Sequence, residues 1–196
     1  MSASAETTFQ YDSGPPVTSG RLATWLFLCA EGLFFGGLIS AWLVLRSQTP
    51  TWAEGHGPSI ATGIVMTVIL LSASFMGHSA IGAARRAQHK QIAARIALAG
   101  LLAFAFLCVQ VLEYSKLDQE GIGPSTSLRW GAFYALTLCH GLHVLIGVFW
   151  LGWLLLKAAG PGLEVEKRGP LEYGVLYLHF VDGIWLVLLG LLYFIR

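Results

Sequence analysis

The chain has 196 residues, of which 55% are hydrophobic and only 12% are charged, and its formal net charge is +1. A soluble domain carries roughly 25% charged residues, so this composition excludes an ordinary soluble enzyme and indicates an integral membrane protein. The nearly balanced charge gives no reason to expect nucleic acid as a partner.

The first 20 residues are polar and lack a basic stretch followed by an apolar one. Residues 1–20 are therefore expected to form a flexible N-terminal arm and not a cleaved signal peptide. The remainder, 21–196, is expected to fold as a single membrane domain. A helix needs about 20 apolar residues to cross a hydrocarbon core of ~30 Å. Five segments are long enough, at about 22–45, 59–84, 92–114, 130–156 and 171–195. The sequence thus predicts an all-α, polytopic bundle of five transmembrane helices.

The basic residues predict the orientation of this bundle. With five spans, the N-terminal arm lies on the same side as the second and fourth connections. That side carries Arg21, Arg85, Arg86, Lys90, Arg95, Lys157, Lys167 and Arg168, and the other carries Arg46, Lys116, Arg129 and Arg196. Because eight basic residues face four, and positive charge favours the cytoplasmic side, the N-terminus is expected inside and the C-terminus outside.

Five ionisable side chains fall near the middle of the predicted spans. They are Glu31, His140, His143, His179 and Asp182. At ~1.5 Å per residue each lies roughly 12–20 Å into its span, close to the bilayer midplane. An unpaired Asp at that depth costs about 2.5–3.5 kcal/mol. The least costly arrangement is a buried polar network in which the carboxyls and imidazoles of the first, fourth and fifth spans bond each other.

Three functions remain open for this group when only the residues are considered. Histidines with carboxylates can hold iron or zinc, although bundle metalloproteins use Glu-x-x-His on two helices. His56, His78 and His89 also lie away from the group in the sequence. Intramembrane acids and histidines can instead relay protons in a small transporter, although the outer parts of these spans are mainly aliphatic. A structural network that fixes the helix register is the preferred interpretation, and no metal ligand or catalytic residue is assigned.

A second set of polar residues lies near the predicted ends of two spans. Gln110, Glu113 and Tyr114 end the third span, and Glu172 begins the fifth. We expect the first three to form a hydrated helix end. For Glu172, an acid in the first turn of a helix is favoured by the helix dipole.

Basic residues between the fourth and fifth spans predict contacts with lipid headgroups. These residues are Lys157, Lys167 and Arg168, and they would face the inner surface of the membrane, where anionic headgroups attract positive charge. A simple positive-inside signal explains the same residues nearly as well.

Four stretches resemble subunit III of the haem-copper terminal oxidases. The first is "LFLCAEGLFFGGLISAW", with its acid at Glu31, and the second is "VQVLEYSKL", which is similar to the family's Gln-x-x-Glu-Tyr helix end. The third, "CHGLHVLIGVFWL", resembles the family's His-Gly-Leu-His-Val stretch. The fourth, "EYGVLYLHFVDGIWLVLLGLLYF", resembles its last helix. The four occur in the family's order and cover four of the five predicted spans. Many members have seven spans, so this chain resembles the five-helix type.

The resemblance implies a non-catalytic subunit of a respiratory oxygen reductase in a bacterial plasma membrane. Such a subunit packs directly beside the catalytic subunit I, in a complex with subunit II and other respiratory chains. It supports stability, sustained turnover and proton uptake during aerobic electron transport. It binds no cofactor itself, since haem and copper belong to partner subunits, and phospholipid lies between its helices. The enzyme is then the whole cytochrome c oxidase or quinol oxidase complex. An accessory subunit of a quinol oxidase or nitric oxide reductase system is the alternative.

Overall fold

The computed structural model describes residues 19–50, 52, 57–86, 88–159 and 169–195. It contains α1 (Ser19–Gln48), α2 (Ile60–Arg85), α3 (His89–Gln119), α4 (Leu128–Ala159) and α5 (Gly169–Leu189), the last of which continues into a π-helical segment, Gly190–Phe194. All five helices are long and apolar enough to cross a membrane, and the described residues form no β-strand. The predicted all-α fold with five spans is confirmed, while its orientation stays a prediction.

The helices α1, α3 and α4 extend beyond the predicted spans at both ends, because polar residues there continue the helical hydrogen bonding. The largest extension is in α3, which runs on from Tyr114 to Gln119. At its N-terminal end, α1 already begins at Ser19, within the segment expected to be a flexible arm. Residues 1–18 of that arm lie outside the described residues.

Successive helices run antiparallel. The helices α1 and α5 begin, and α2 ends, at the same end of the bundle, which we call the Arg85 end. The helix α4 begins at the opposite end, which we call the Trp130 end. The start of α1 meets the start of α5, where a Cβ on Gly20 would lie 3.0 Å from the Tyr173 ring. At the Trp130 end, Trp42 of α1 packs edge-to-face on Trp52, with ring centroids 5.5 Å apart.

The helices α2 to α5 form the body of the bundle, and α1 lies at its edge. The most extensive contacts are between α2 and α3, followed by α3 with α4, whereas α1 packs mainly against α4 and α5. In the apolar stretch of α1 only 17% of the residues are buried, against 44% in that of α5. Because α1 has little packing of its own, its position depends strongly on any polar bond it makes to the body of the bundle.

Small side chains bring α2 and α3 close together at the Arg85 end. The cluster there includes Ala80, Ala83 and Ala84 of α2 with Ile92, Ile96 and Ala99 of α3. Small residues let two helix backbones approach closely in a membrane, where dispersion contacts replace the hydrophobic effect as the cause of association. This close pairing positions the basic residues that flank the α2–α3 connection.

A layer of aromatic rings fills the centre of the bundle around Trp185 of α5. The Trp185 side chain is 1% exposed, and its indole packs edge-to-face on Phe106 of α3, with centroids 4.9 Å apart. The indole Nε1–H donates a 2.9 Å hydrogen bond to the Thr67 hydroxyl of α2. Trp185 thereby links α5 to both α2 and α3 through ring packing and one satisfied polar atom.

Candidate functional site

Glu31 and His143 join the peripheral α1 to α4. The imidazole Nε2 of His143 lies 2.8 Å from Oε2 of Glu31, and both side chains are mostly buried. Phe34 and Phe35 of α1 flank the imidazole, with ring centroids 6.0 and 4.9 Å away. The pair was one of the contacts expected between the first and fourth spans, and the structure brings it together at hydrogen-bonding distance.

The hydrogen bonds of His143 determine how many protons the pair holds. Its Nδ1 lies 2.7 Å from the Cys139 carbonyl oxygen, which can only accept, so Nδ1 carries a hydrogen. Nε2 and the Glu31 carboxyl then share one further proton, since two unprotonated acceptors would repel each other at 2.8 Å. Whichever atom holds that proton, the pair has no net charge. Its burial therefore avoids the cost of an isolated ion within the membrane.

His140 is fully buried and lies among aromatic rings. Its ring stands 5.6 Å from Phe106 and 5.2 Å from Trp185 between centroids. Neither ring nitrogen has a hydrogen-bond partner within the part of the chain that the structure describes. Residues three apart on a helix differ by roughly 60° in direction. His143 therefore faces α1 while His140 faces α3 and α5, and the expectation that both histidines bond buried acids is wrong for His140.

His179 and Asp182 form a separate group between α5 and α2. Nδ1 of His179 lies 2.7 Å from the Ser74 hydroxyl and 3.9 Å from Asp182 Oδ2, so Ser74 is the closer partner. The Asp182 side chain is 8% exposed and that of His179 is 45% exposed. His78 of α2 stands next to His179, with ring centroids 5.8 Å apart. His78 lies apart from the central residues in the sequence, but in the structure it belongs to the group formed by His179 and Asp182.

The five central residues therefore do not form one network in the described ranges. The α1–α4 pair and the α5–α2 group are separate, and His140 lies in the aromatic layer. The two ring nitrogens of His143 are both engaged, by Cys139 and Glu31, so His143 offers no free nitrogen to a metal shared with His140. Among residues 19–50, 52, 57–86, 88–159 and 169–195, no three His, Cys, Asp or Glu side chains are grouped as a metal site requires.

Gln110 and Tyr114 belong to a buried chain of hydrogen bonds between α3 and α4. Gln110 Nε2 donates to Tyr114 Oη at 2.8 Å and to the Thr137 carbonyl at 2.7 Å. The Tyr114 and Thr137 hydroxyls lie 2.7 Å apart, and Thr137 donates to the Phe133 carbonyl at 2.7 Å. The expected hydrated helix end is wrong here, because α3 continues beyond these residues and α4 covers them.

Gly141 lets α3 and α4 approach at this hydrogen-bond chain. A Cβ on Gly141 would lie 2.7 Å from Oε1 and 3.0 Å from Nε2 of Gln110. The amide cannot move aside freely, since its Nε2 already makes two hydrogen bonds. The glycine in the "HGLH" stretch is therefore required by the neighbouring helix, whereas the two histidines on either side of it face other elements.

Glu113 caps the start of α2 at the Trp130 end. Its Oε1 accepts a 3.2 Å hydrogen bond from the Ser59 backbone N–H, and the Ser59 hydroxyl in turn accepts from the Thr62 N–H at 3.4 Å. The acid is buried, and negative charge is favoured at a helix N-terminus. Glu172 lies instead in the first turn of α5 at the Arg85 end. The predicted set of helix-end residues is thus divided between opposite ends of the bundle.

Of the predicted lipid contacts, only Lys157 lies within the described residues. It is in the last turn of α4, and its Nζ stands 5.4 Å from the centre of the Trp153 ring. Lys167 and Arg168 lie outside the described residues, as does His56. A headgroup contact at Lys157, Lys167 and Arg168 stays a prediction.

The family model described as cytochrome c oxidase subunit III matches residues 2–196 of this chain. One relative is cytochrome c oxidase subunit 3 of Thermostichus vulcanus, 33% identical over 174 residues that cover 88% of this chain and 85% of that protein. The corresponding protein of a Synechocystis strain is 34% identical over 171 residues, covering 86% and 72%. Quinol oxidase subunit 3 of Bacillus subtilis is 31% identical over 169 residues, covering 84% and 81%.

Proposed function

Because the chain belongs to the cytochrome c oxidase subunit III family, we propose that it serves as a non-catalytic subunit of a respiratory haem-copper oxygen reductase. The five spanning helices and the bacterial relatives indicate an integral protein of the plasma membrane. Subunits of cytochrome c oxidases and of quinol oxidases match it over similar lengths, so the proposal holds for either electron donor.

In this role the chain packs directly beside the catalytic subunit I, and subunit II and further chains complete the complex. Haem and copper reside in those partners, and phospholipid fills the spaces between helices. The contribution of this chain is to the stability of the complex, to its sustained turnover and to proton uptake. Exposed apolar side chains along α1, such as Leu26, Leu33 and Phe34, leave a broad face for lipid or for a partner helix.

The observation that supports a structural role is the hydrogen bonding of Glu31 and His143. Glu31 and His143 direct their polar atoms at each other and at the chain's own backbone. Groups bonded in this way hold the register of α1 against α4, and both ring nitrogens of His143 are engaged within the chain. The peripheral helix α1, with its small buried fraction, is the element that most needs such a bond.

The proposal predicts a distinctive effect when this chain is removed from the purified oxidase. Initial oxygen reduction should persist, because the redox centres lie in other chains, while activity should decay faster over successive turnovers. An oxygen electrode measures both quantities on one sample, and adding the chain back should restore endurance. A depleted complex with an intact haem spectrum but no initial activity would contradict the proposal.

A further inference from the structure

A polar cavity leads from the Arg85 end of the bundle to the imidazole of His78. Its volume is about 350 Å³, and its lining includes Arg85 of α2, Arg95 of α3 and Glu172 of α5 as well as His78. This volume is more than ten times the roughly 30 Å³ that one water occupies in the liquid, so the cavity can hold several waters. Because His78 precedes Arg85 by two turns of α2, water in the cavity reaches ~10 Å along the helix.

His179 of α5 continues this polar path beyond His78. The centroids of the two imidazole rings are 5.8 Å apart, and both side chains are exposed at the surface of the bundle. One water can bridge the nitrogens of two rings at this separation. On its other side, Nδ1 of His179 lies 2.7 Å from the hydroxyl of Ser74, which is buried between α5 and α2. His179 therefore connects an accessible imidazole with a buried hydroxyl.

The path ends at the carboxyl of Asp182. This side chain is 8% exposed, and its Oδ2 lies 3.9 Å from Nδ1 of His179. The Ser74 hydroxyl is within hydrogen-bonding reach of the same carboxyl, so it links the imidazole to the acid. Asp182 lies ~20 Å along α5 from Gly169 at 1.5 Å per residue, which is near the middle of the span.

The hydrogen bonds of Ser74 allow a proton to move along this path. A serine hydroxyl has one hydrogen, and it can accept a hydrogen bond while donating another. When Nδ1–H of His179 donates to Ser74 and Ser74 donates to the carboxylate, Nε2 can accept a proton from water. The hydrogen on Nδ1 then passes to Oγ, and the hydroxyl hydrogen passes to Asp182. Each group gives up one hydrogen as it gains one, so the net change is a carboxylate that has gained one proton.

The other titratable groups at this depth are engaged elsewhere in the described ranges. Glu31 of α1 and His143 of α4 bond each other, and the ring of His140 lies in the aromatic layer. The helix α3 has no charged residue over 96–112. The groups that face Asp182 are therefore Ser74 and His78 of α2 and His179 of its own helix.

We propose that Asp182 is a reversible proton-binding site, which exchanges its proton with water at the Arg85 end through Ser74, His179 and His78. Chains of acids and histidines within membrane helices commonly carry protons. The aliphatic outer parts of the spans argued against such a relay when only the residues were considered, and the polar cavity supplies the missing outer part. The inference rests on the proposed function, because it assigns residues to the proton uptake included there.

The test is infrared difference spectroscopy of the purified complex without turnover, which follows the C=O stretching band of protonated carboxyls after a drop in pH. Asp182→Asn identifies the band that belongs to Asp182. Ser74→Ala and His78→Phe interrupt the path near its two ends but keep the acid. Ser72→Ala is the matched control, because it removes a hydroxyl from the same helix that donates to the Val68 carbonyl instead.

We expect one band that rises as the pH falls and is missing from the Asp182→Asn complex. Its rise after the drop in pH should be at least about tenfold slower in the Ser74→Ala and His78→Phe complexes, since a positioned proton donor speeds transfer by that much or more. The Ser72→Ala complex should match the wild type. Thermal midpoints verify that each variant keeps its fold.

Carboxyl spectra that are the same in the wild-type and Asp182→Asn complexes would overturn the site. Equal rates in the wild-type, Ser74→Ala, His78→Phe and Ser72→Ala complexes would overturn the route, and this comparison decides the matter even when the Asp182→Asn complex does not assemble. Haem and copper are measured on the same samples. Their absence would contradict the proposed function, whereas the infrared comparison tests the proton site in either case.

Discussion

Replacing Glu31 with Ala should destabilise this subunit within its complex by about 1–3 kcal/mol, because the substitution leaves the buried imidazole of His143 without its partner. Glu31→Gln should cost less, since an amide N–H can donate to Nε2 while Nδ1 continues to donate to Cys139. Both effects can be measured by titrating the purified complex with SDS and following dissociation and unfolding of this chain.

A double-mutant cycle with His143→Ala shows whether the effect comes from the bond itself. If the two residues act mainly on each other, the double variant should be little worse than the worse single variant. Strictly additive losses from Glu31→Ala and His143→Ala would show that the 2.8 Å contact contributes little. Haem content and the initial rate of oxygen reduction should stay near the wild-type values in the Glu31→Gln complex.

Replacing Trp185 with Ala should have a larger effect, about 3–5 kcal/mol, because it empties a fully packed position at the centre of the bundle. The indole contacts Phe106, the His140 ring and Tyr193, and it bonds Thr67 through Nε1. Its removal would leave a cavity against α2, α3 and α4 together. The same SDS titration measures the loss.

Trp185→Phe is the control for this prediction. Phenylalanine keeps an aromatic ring against Phe106 but cannot donate to the Thr67 hydroxyl, so the cost should be nearer the ~1 kcal/mol of a single hydrogen bond. A Trp185→Ala complex as stable as the Trp185→Phe complex would mean that the aromatic layer is not a principal source of stability in the bundle.

The sequence was sufficient to predict the five spans because membrane thickness sets a length that each apolar run either meets or does not. It also identified Glu31 and His143, since ionisable groups in the middle of a span are costly and must find partners. The sequence could not predict which neighbouring helix each of these side chains faces. His140 and His143 are three residues apart, yet a difference of roughly 60° aims them at different helices. Only the arrangement of the neighbouring helices decides which one meets an acid.

The polar residues near the ends of helices show a second limit. Polar residues around Gln110 suggested a helix end, but α3 continues to Gln119, and the cover from α4 buries the amide. The partners Ser59, Ser74 and Thr137 were not singled out because Ser and Thr are common in membrane helices and carry no local signal of a tertiary bond. Of the three, Ser59 had the clearest signal in the sequence, since a serine just before an apolar run is a typical helix N-cap.

The cavity of about 350 Å³ at the Arg85 end, whose lining includes Arg85, Arg86, Arg95 and Glu172, illustrates the same limit for charge. Arg85 and Arg86 were counted only as an orientation signal, and Arg95 and Glu172 lie on other helices. Their common cavity arises from the close approach of α2 and α3 through Ala80, Ala83 and Ala84. A sequence gives the number of cations on one side of a membrane, while helix packing decides whether they surround a shared space.

The most direct test of the central claim is to isolate this chain from its native membrane in mild detergent and to record a dithionite-reduced minus oxidised spectrum of the eluate, with metal analysis. We expect larger partner chains, haem bands and copper to be recovered together with it. A colourless chain recovered alone, or one carrying iron or zinc without haem, would contradict its assignment as an accessory subunit of a haem-copper oxygen reductase.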